Sequence, residues 1–224
     1  MTMRTIFYVL FILVPGCLCA QRTWDTIPFD AARHRTRYEE FKKEPVVKGK
    51  VMFVGNSITE EGQWKKLLKD SSVINRGISG DITFGILDRI EELTKREPSR
   101  LFLLIGINDI AKNIPDEIIM ENIFSIVGRI RSASPKTKTF VQSILPVNSA
   151  FPDFPDHKNK DDHILTINSQ LEKYGDRLHY TYVNLYSKFI DSDGRLDAKF
   201  TTDGLHLNAA GYARWAEILK NLKE

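Results

Sequence analysis

Residues 51–62, VMFVGNSITEEG, set the architecture of this chain, because an apolar strand runs directly into a polar turn and then into a helix-like segment. A continuous apolar run such as 51–54 is typical of a strand buried on both faces. The turn at 55–57 ends that run abruptly, and residues 63–69 carry apolar side chains at helical spacing. Ser57 in this turn has two interpretations: it caps the following helix, or it is a reactive group at the end of a buried strand.

The same alternation continues along the chain, with short apolar runs separated by longer amphipathic stretches. The apolar runs are 51–54, 73–74, 101–105, 139–144 and 180–185. The amphipathic stretches are 63–69, 83–96, 116–132, 162–174 and 209–222. This pattern predicts an α/β fold in which a five-stranded parallel sheet carries helices on both faces, a three-layer α/β/α sandwich. In such sheets the ligand site lies at the carboxyl ends of the strands.

The bulk properties of the chain are those of one globular domain. Its 224 residues suffice for a substantial core, and 42% hydrophobic with 27% charged residues is an ordinary balance. The formal net charge is +3, and charges of both signs are interspersed along the chain. A nucleic-acid surface needs a concentrated basic stripe, so we expect no nucleic-acid partner.

Residues 1–20 have the layout of a secretory signal. Arg4 precedes an apolar run at 6–14, and the small residue Ala20 follows it. The run is far shorter than the ~20 residues of a membrane-spanning helix, so we expect no integral membrane span. We predict cleavage after Ala20 and export to a periplasmic or extracellular location. The alternative is a buried N-terminal helix.

Cys17 and Cys19 are the two cysteines of the chain, and both lie in this predicted signal. The mature chain would then hold no disulfide and no thiol chemistry. Residues 14–17 also loosely match a bacterial lipoprotein box, which would anchor the protein through a lipid on Cys17. The remaining chain is predicted to consist of an N-terminal extension with a helix at 21–48 and a main domain at 49–224.

Polar segments follow three of the predicted strands and precede the last helix. They are GNS at 55–57, NRGISGD at 75–81, GIND at 106–109 and DGLHLN at 203–208. The segments are far apart along the chain. Because the carboxyl ends of parallel strands meet at one edge of a sheet, we expect all four segments to converge there.

The residue types in these segments suit ester hydrolysis. A serine hydroxyl needs a base, and a carboxylate bound to the far nitrogen of a histidine orients that base. Asp203 and His206 are three residues apart, so a turn can place the carboxylate on Nδ1 and leave Nε2 facing Ser57. The negative oxygen formed in the reaction needs hydrogen-bond donors. The candidate donors are the backbone N–H groups of Ser57 and Gly80 and the side-chain amide of Asn108.

Each of these residues also has a purely structural interpretation. Ser57 and Glu60 fit a capping box, in which both side chains satisfy the first turn of a helix. His206 could simply precede the last helix, Asn108 could be a turn residue, and Gly80 could be a turn glycine. The presence of all four segments favours the chemical interpretation.

The segment 146–160, PVNSAFPDFPDHKNK, is predicted to be a long loop over the same edge, since it has three prolines and no periodicity. Asn148, Phe151 and Phe154 could line a substrate pocket, or the loop could pack on itself. Acidic residues and histidines in and after the loop are irregularly spaced, which favours solvated charge over a metal site. These residues are Asp153, Asp156, His157, Asp161, Asp162 and His163.

The four polar segments resemble the ordered blocks of the SGNH, or GDSL-type, hydrolase family, which is named after its active-site serine, glycine, asparagine and histidine. By this resemblance those residues are Ser57, Gly80, Asn108 and His206, with Asp203 as the aspartate of an Asp-x-x-His element. The resemblance covers the chain from about residue 50 to the last helix. It implies a flavodoxin-like α/β/α fold and esterase or lipase chemistry without a metal or cofactor.

Two residues depart from the family pattern and leave the substrate open. Asn56 stands where the family has aspartate, and Leu207 stands where it often has proline. We expect an exported serine esterase that removes short acyl groups, such as O-acetyl, from a small molecule or glycan, because no large apolar lid is evident. The alternatives are a lysophospholipase or thioesterase, and a catalytically silent carbohydrate-binding domain. The oligomeric state is left open.

Overall fold

The computed structural model describes residues 24–222, and its centre is a parallel sheet. The strands are β1 (Val51–Gly55), β2 (Ile74–Gly77), β3 (Arg100–Leu104), β4 (Lys138–Gln142) and β5 (Thr181–Val183). Their spatial order is β2-β1-β3-β4-β5, and each neighbouring pair is parallel. This is the flavodoxin-like strand order, so the predicted five-stranded parallel sheet is confirmed.

Helices flank this sheet and form the outer layers. Within residues 24–222 they are α1 (Ala31–Lys43), α2 (Ser57–Glu60), α3 (Trp64–Leu68), α4 (Thr83–Asp88), α5 (Ile90–Thr94), α6 (Ile107–Ala111), α7 (Asp116–Ala133), α8 (Asp161–Leu178), α9 (Tyr186–Phe189) and α10 (Ala209–Lys220). Helix α10 packs on α3, whereas α7 packs on α4, α5 and α8. The predicted α/β/α architecture is therefore confirmed.

One predicted helix, at 83–96, is divided into α4 and α5 at Arg89. The Arg89 side chain is fully buried, and its guanidinium donates to Asp81 at 2.9 and 3.1 Å and to the carbonyl of Gly55 at 3.4 Å. The backbone leaves helical geometry here, with φ −103° and ψ 17°. The break lets a charged side chain point inward, which helical periodicity alone does not predict.

An aromatic column joins the sheet to the layer formed by α3 and α10. Phe53 stacks on Trp64 with ring centroids 4.1 Å apart and on Phe102 at 4.9 Å. Phe102 in turn stacks on Phe140 at 4.7 Å, and Trp215 meets Trp64 edge-on at 4.6 Å. All five side chains are buried. Since burying one such side chain contributes about 1.5–3 kcal/mol, this column holds α3 and α10 over β1.

Strand β1 ends in a turn with no room for a side chain at Gly55. A Cβ atom there would lie 2.2 Å from the carbonyl oxygen of Leu104 on β3. The Asn56 side chain then accepts a hydrogen bond from the Ile58 N–H at 3.1 Å and caps α2. Ser57 is therefore the first residue of α2, held at the carboxyl edge of the sheet.

The N-terminal extension packs on the main domain through α1. Phe41 of α1 is buried, with the Arg76 guanidinium 4.4 Å from its ring centroid. Arg96 donates to the carbonyl oxygens of Phe41 and Pro45 at 2.9 and 2.8 Å, and it also pairs with the buried Glu92. Helix α1 ends before Pro45, as its position predicts.

The predicted signal at 1–20, and with it the alternative lipid anchor at Cys17, lies outside the described residues. The extension predicted at 21–48 is described from residue 24 onward. Between residues 24 and 222, no helix combines the length and the apolar character needed to cross a membrane.

Candidate active site

Side chains from two distant segments form one hydrogen-bonded chain at the carboxyl edge of the sheet. Ser57 Oγ lies 2.9 Å from Nε2 of His206, and Nδ1 of His206 lies 2.8 Å from Oδ2 of Asp203. An ionised carboxylate can only accept, so it selects the tautomer with hydrogen on Nδ1. The lone pair on Nε2 then faces the serine hydroxyl, as proton abstraction requires.

Asp203 is held as a carboxylate by the turn that it begins. Its Oδ1 accepts hydrogen bonds from the N–H groups of Leu205 at 2.9 Å and His206 at 2.8 Å. Partial burial raises the pKa of the Asp203 carboxyl, but these bonds and the His206 ring outweigh it, so the pKa lies below its ordinary value. Asn208 caps α10 through the Gly211 N–H, which leaves the His206 ring available for Ser57.

Glu60 does not form the capping box with Ser57, so that interpretation is wrong. Asn56 caps α2, whereas the Glu60 carboxylate accepts hydrogen bonds from the N–H and hydroxyl of Ser79 at 2.7 and 2.6 Å. It also pairs with Arg33 of α1 at 2.8 Å. Glu60 thereby ties α2 and α1 to the loop that follows β2.

The predicted oxyanion donors lie on the wall of the same cavity as Ser57. Gly80 has φ +75°, a conformation that favours glycine, and its carbonyl accepts the Phe29 N–H at 3.0 Å. Among the residues described, no acceptor is paired with the N–H of Ser57 or of Gly80. Asn108 is buried in the first turn of α6 and is one of the residues that line the cavity. Such groups can stabilise a developing oxyanion.

Both ends of the Asn108 amide are held by hydrogen bonds. Nδ2 donates to the carbonyl of Asp81 at 2.9 Å, and Oδ1 lies 2.9 Å from Nε2 of His157. The sequence places His157 among solvated charges, which is wrong: the residue is only 7% exposed. Burial lowers the pKa of His157 to about 4, with smaller opposing and reinforcing effects from Asp156 and His206.

The cavity in front of Ser57 has a volume of about 470 Å³. Its wall consists of Phe29, Ser57, Glu61, Ser79, Gly80, Asn108, Phe154, Pro155, Asp156, His157, Leu205 and His206. Phe154, one of the predicted pocket residues, lies with its ring centroid 5.0 Å from that of His206. Phe29 belongs to the N-terminal extension, and no periodicity in that polar segment marks it as part of a site.

The other two predicted pocket residues do not line this cavity. The Asn148 side chain is buried; its Nδ2 donates to the carbonyl of Leu196 at 2.8 Å, and its Oδ1 accepts the Ala150 N–H at 3.1 Å. Phe151 packs closely against Gly204: a Cβ atom added to Gly204 would lie only 2.9 Å from the Cβ of Phe151. Both side chains therefore contact other parts of the protein, Leu196 and Ala150 for Asn148 and Gly204 for Phe151, and these contacts hold the loop in place.

The sheet order and the convergence of serine, glycine, asparagine and histidine at its edge define an α/β class of ester hydrolases. The chain belongs to the GDSL-like lipase/acylhydrolase family, which matches residues 53–214. The family predicted from the sequence is therefore confirmed, and the chain is a member of a family of ester-cleaving enzymes.

Several known proteins are similar to this chain over most of its length. The platelet-activating factor acetylhydrolase IB subunit alpha2 of Rattus norvegicus is 28% identical over 178 residues, covering 77% of this chain and 75% of that protein. A GDSL-like lipase from Bacteroides thetaiotaomicron superposes with a TM-score of 0.73 at 26% identity, covering 84% and 96% of the two chains. A catalytic mutant of an acetylxylan esterase from Geobacillus stearothermophilus shares the fold, with a TM-score of 0.61 at 16% identity over 78% and 94%.

The buried imidazole of His157 predicts a loss of stability in acid. Its pKa is about 4 in the fold against 6.5 ordinarily, so the unfolded chain binds the proton first as the pH falls. The resulting stabilisation is fully present above about pH 6.5 and disappears as the pH falls through about 4, a change of roughly 3 kcal/mol. His157→Gln cannot titrate and should lack this part of the acid sensitivity.

Urea unfolding of the wild type and His157→Gln between about pH 7 and pH 4 measures this difference. His163→Gln is the matched control, because His163 is exposed and binds Asp116 at the surface. Identical pH dependence in the wild type and His157→Gln would contradict the expectation.

Proposed function

We propose that this chain is an exported serine esterase in which Ser57 is the nucleophile, His206 the general base and Asp203 the group that orients it. The observation that carries the proposal is the continuous chain of hydrogen bonds, 2.8 and 2.9 Å long, from Asp203 through His206 to the Ser57 hydroxyl. That hydroxyl faces a cavity whose wall also includes Gly80 and Asn108.

In the proposed reaction, Ser57 Oγ attacks the acyl carbonyl carbon while Nε2 of His206 takes the hydroxyl proton. The N–H groups of Ser57 and Gly80 and Nδ2 of Asn108 donate to the negative oxygen of the tetrahedral intermediate. His206 then protonates the departing alcohol oxygen, which leaves an acyl-enzyme. Water, deprotonated by the same nitrogen, releases the acid and restores Ser57, while Asp203 remains ionised and stabilises the imidazolium.

Replacing the nucleophile tests this mechanism. Ser57→Ala should lower kcat for p-nitrophenyl acetate by roughly 10⁴-fold or more, because no other hydroxyl is hydrogen-bonded to His206 within the described part of the chain. Ser169→Ala, on the exposed side of α8, is the matched control and should retain full activity. Equal rates for the wild type and Ser57→Ala would instead favour a catalytically silent carbohydrate-binding domain.

The proposed substrate is a short acyl ester, in particular an O-acetyl group on a carbohydrate. The names of two similar proteins, an acetylhydrolase and an acetylxylan esterase, both specify an acetyl group. The cavity wall combines the partly exposed rings of Phe29 and Phe154 with the carboxylates of Glu61 and Asp156. A sugar offers C–H faces that pack on such rings and hydroxyl groups that donate to such carboxylates.

A lysophospholipase or thioesterase is the second candidate, favoured by a neighbouring cavity of about 600 Å³ that shares Glu61 with the first. Its apolar wall is formed by Leu67, Leu207 and Tyr212, and Leu207 directly follows His206 in the chain. A longer acyl chain entering the first cavity could extend into this space. The two candidates therefore differ in whether the second cavity is used.

Chain-length preference separates the two substrates. We expect kcat/KM for p-nitrophenyl acetate to exceed that for the octanoate ester by about tenfold or more, and Leu67→Trp, which narrows the second cavity, to change neither. Leu165→Trp, at an exposed position on α8, is the control for surface tryptophan. A preference for octanoate that Leu67→Trp abolishes would establish the second candidate.

Export of the mature domain from residue 21 is also part of the proposal. It is supported by the basic start, the apolar run at 6–14 and the small residue Ala20. Expression of the full chain in a bacterial host should yield extracytoplasmic protein beginning at Gln21, as determined by intact mass. A cytoplasmic protein retaining residues 1–20 would refute export, and a lipidated Cys17 would establish the anchored alternative.

A further inference from the structure

We propose that His157 is a positioning residue of the oxyanion site and holds the Asn108 amide so that Nδ2 faces the cavity. This inference rests on the proposed function, because it concerns the donors beside Ser57. His157 lies on the short 3₁₀ turn Pro155–His157 in the loop after β4. It acts through Asn108, since its own Nε2 is already bound to the amide at 2.9 Å.

The chemistry of the partners determines the orientation of the amide. The Asp81 carbonyl can only accept, so the Asn108 atom 2.9 Å from it is the nitrogen. The amide oxygen then faces His157, and because that oxygen only accepts, Nε2 of His157 must carry the hydrogen. One N–H of the amide is used on Asp81, which leaves the second N–H for a substrate oxygen.

The surroundings of His157 keep this ring neutral and in place. The Phe29 ring stacks on it at a centroid distance of 5.9 Å with planes 29° apart, and the Phe154 ring meets it edge-on at 5.9 Å. Its Nδ1 is buried without a hydrogen-bond partner among residues 24–222. A second proton on the ring would have to sit on Nδ1, where it would be buried without a hydrogen-bond acceptor. The neutral form with hydrogen on Nε2 is therefore favoured.

The backbone that carries His157 is strained, which is consistent with a fixed placement. Phe154 adopts a left-handed conformation, φ 51° and ψ 58°, and its carbonyl accepts the His157 N–H at 3.0 Å. A bulky residue with positive φ persists only where the surrounding contacts determine it. Here those contacts include the His206 ring, 5.0 Å from that of Phe154, and the hydrogen bond from His157 to Asn108.

Removing the His157 hydrogen bond should weaken one oxyanion donor without deleting it. Asp81 would still bind one hydrogen of the amide, but the oxygen would lose its partner and the amide could tilt away from the cavity. Deleting an oxyanion donor lowers turnover by ~10²–10³-fold, so we expect a smaller loss of about tenfold. Substrate binding in the ground state should change little, because the donor acts on charge that develops during the reaction.

Three variants separate this role from simple packing. His157→Phe keeps a ring between Phe29 and Phe154 but has no donor, whereas His157→Gln retains an N–H donor. With p-nitrophenyl acetate, His157→Phe should lower kcat about tenfold with KM within about twofold, and His157→Gln should restore most of the activity. His163→Phe, at the exposed position on α8, is the matched control and should behave as the wild type.

A double-mutant cycle tests whether His157 acts through Asn108. In an Asn108→Ala background, His157→Phe should cause no further loss of kcat, because the amide that it positions is gone. An equal loss in both backgrounds would overturn the proposal, as would a His157→Gln variant as slow as His157→Phe. Full activity of Ser57→Ala would instead refute the proposed function, so the two failures are distinguishable.

The wild-type protein also provides a test that requires no substitution. The ¹⁵N chemical shifts of the two His157 ring nitrogens report which one carries hydrogen. At neutral pH we expect hydrogen on Nε2 alone. Hydrogen on Nδ1 alone, or a doubly protonated ring, would overturn the proposal.

Discussion

The register of β1 against its two neighbours is the constraint on which the site depends. Gly55 is paired with Gly77 of β2 and with Leu104 of β3, so these three strands end at the same level. Ser57 and Asn108 lie in the first turns of the helices that follow β1 and β3, and Gly80 lies in the loop after β2. A shift of one residue in β1 would reverse the faces of its side chains and displace Ser57 by about 3.3 Å. A displacement of that size would break the 2.9 Å contact with His206.

Charged and polar groups that are fully buried restrain the loops after β2 and β3. Arg89 binds Asp81 through two nitrogens, and Asp109 accepts hydrogen bonds from the N–H and hydroxyl of Thr83. Burial raises the pKa of Asp109 to about 7, because the charged carboxylate loses its hydration in the interior. Buried pairs contribute little net stability, but removing one partner costs about 3–5 kcal/mol. Their effect here is positional, because they hold the Asp81 carbonyl that orients Asn108.

The sheet could be predicted from the sequence, because alternating apolar runs and amphipathic helices are typical of a parallel topology. The proximity of Ser57 and His206 could be predicted as well, because that topology determines which segments meet at the carboxyl edge of the sheet. The burial of His157 and Asn148 could not be predicted from the sequence. Polar loop residues are usually solvated, and their burial here depends on contacts with distant segments that no local spacing reports. The capping box, the structural alternative for Ser57 and Glu60, is absent for a related reason. The capping-box pattern is local, whereas the carboxylate makes stronger contacts with Ser79 across the edge of the sheet.

The boundary predicted near residue 48 separates two sequence patterns, but it does not separate the extension from the site. The Phe29 N–H donates to the Gly80 carbonyl at 3.0 Å, and Arg33 binds the Glu60 carboxylate that holds the N–H of Ser79. The extension therefore holds the backbone on both sides of the Gly80 N–H. It binds the Gly80 carbonyl directly, and it restrains Ser79 through Glu60 of α2. The family match begins at residue 53, so this bracing comes from outside the matched region. Because Phe29 also forms part of the cavity wall, the extension shapes both the cavity in front of Ser57 and the backbone around the proposed oxyanion donor Gly80.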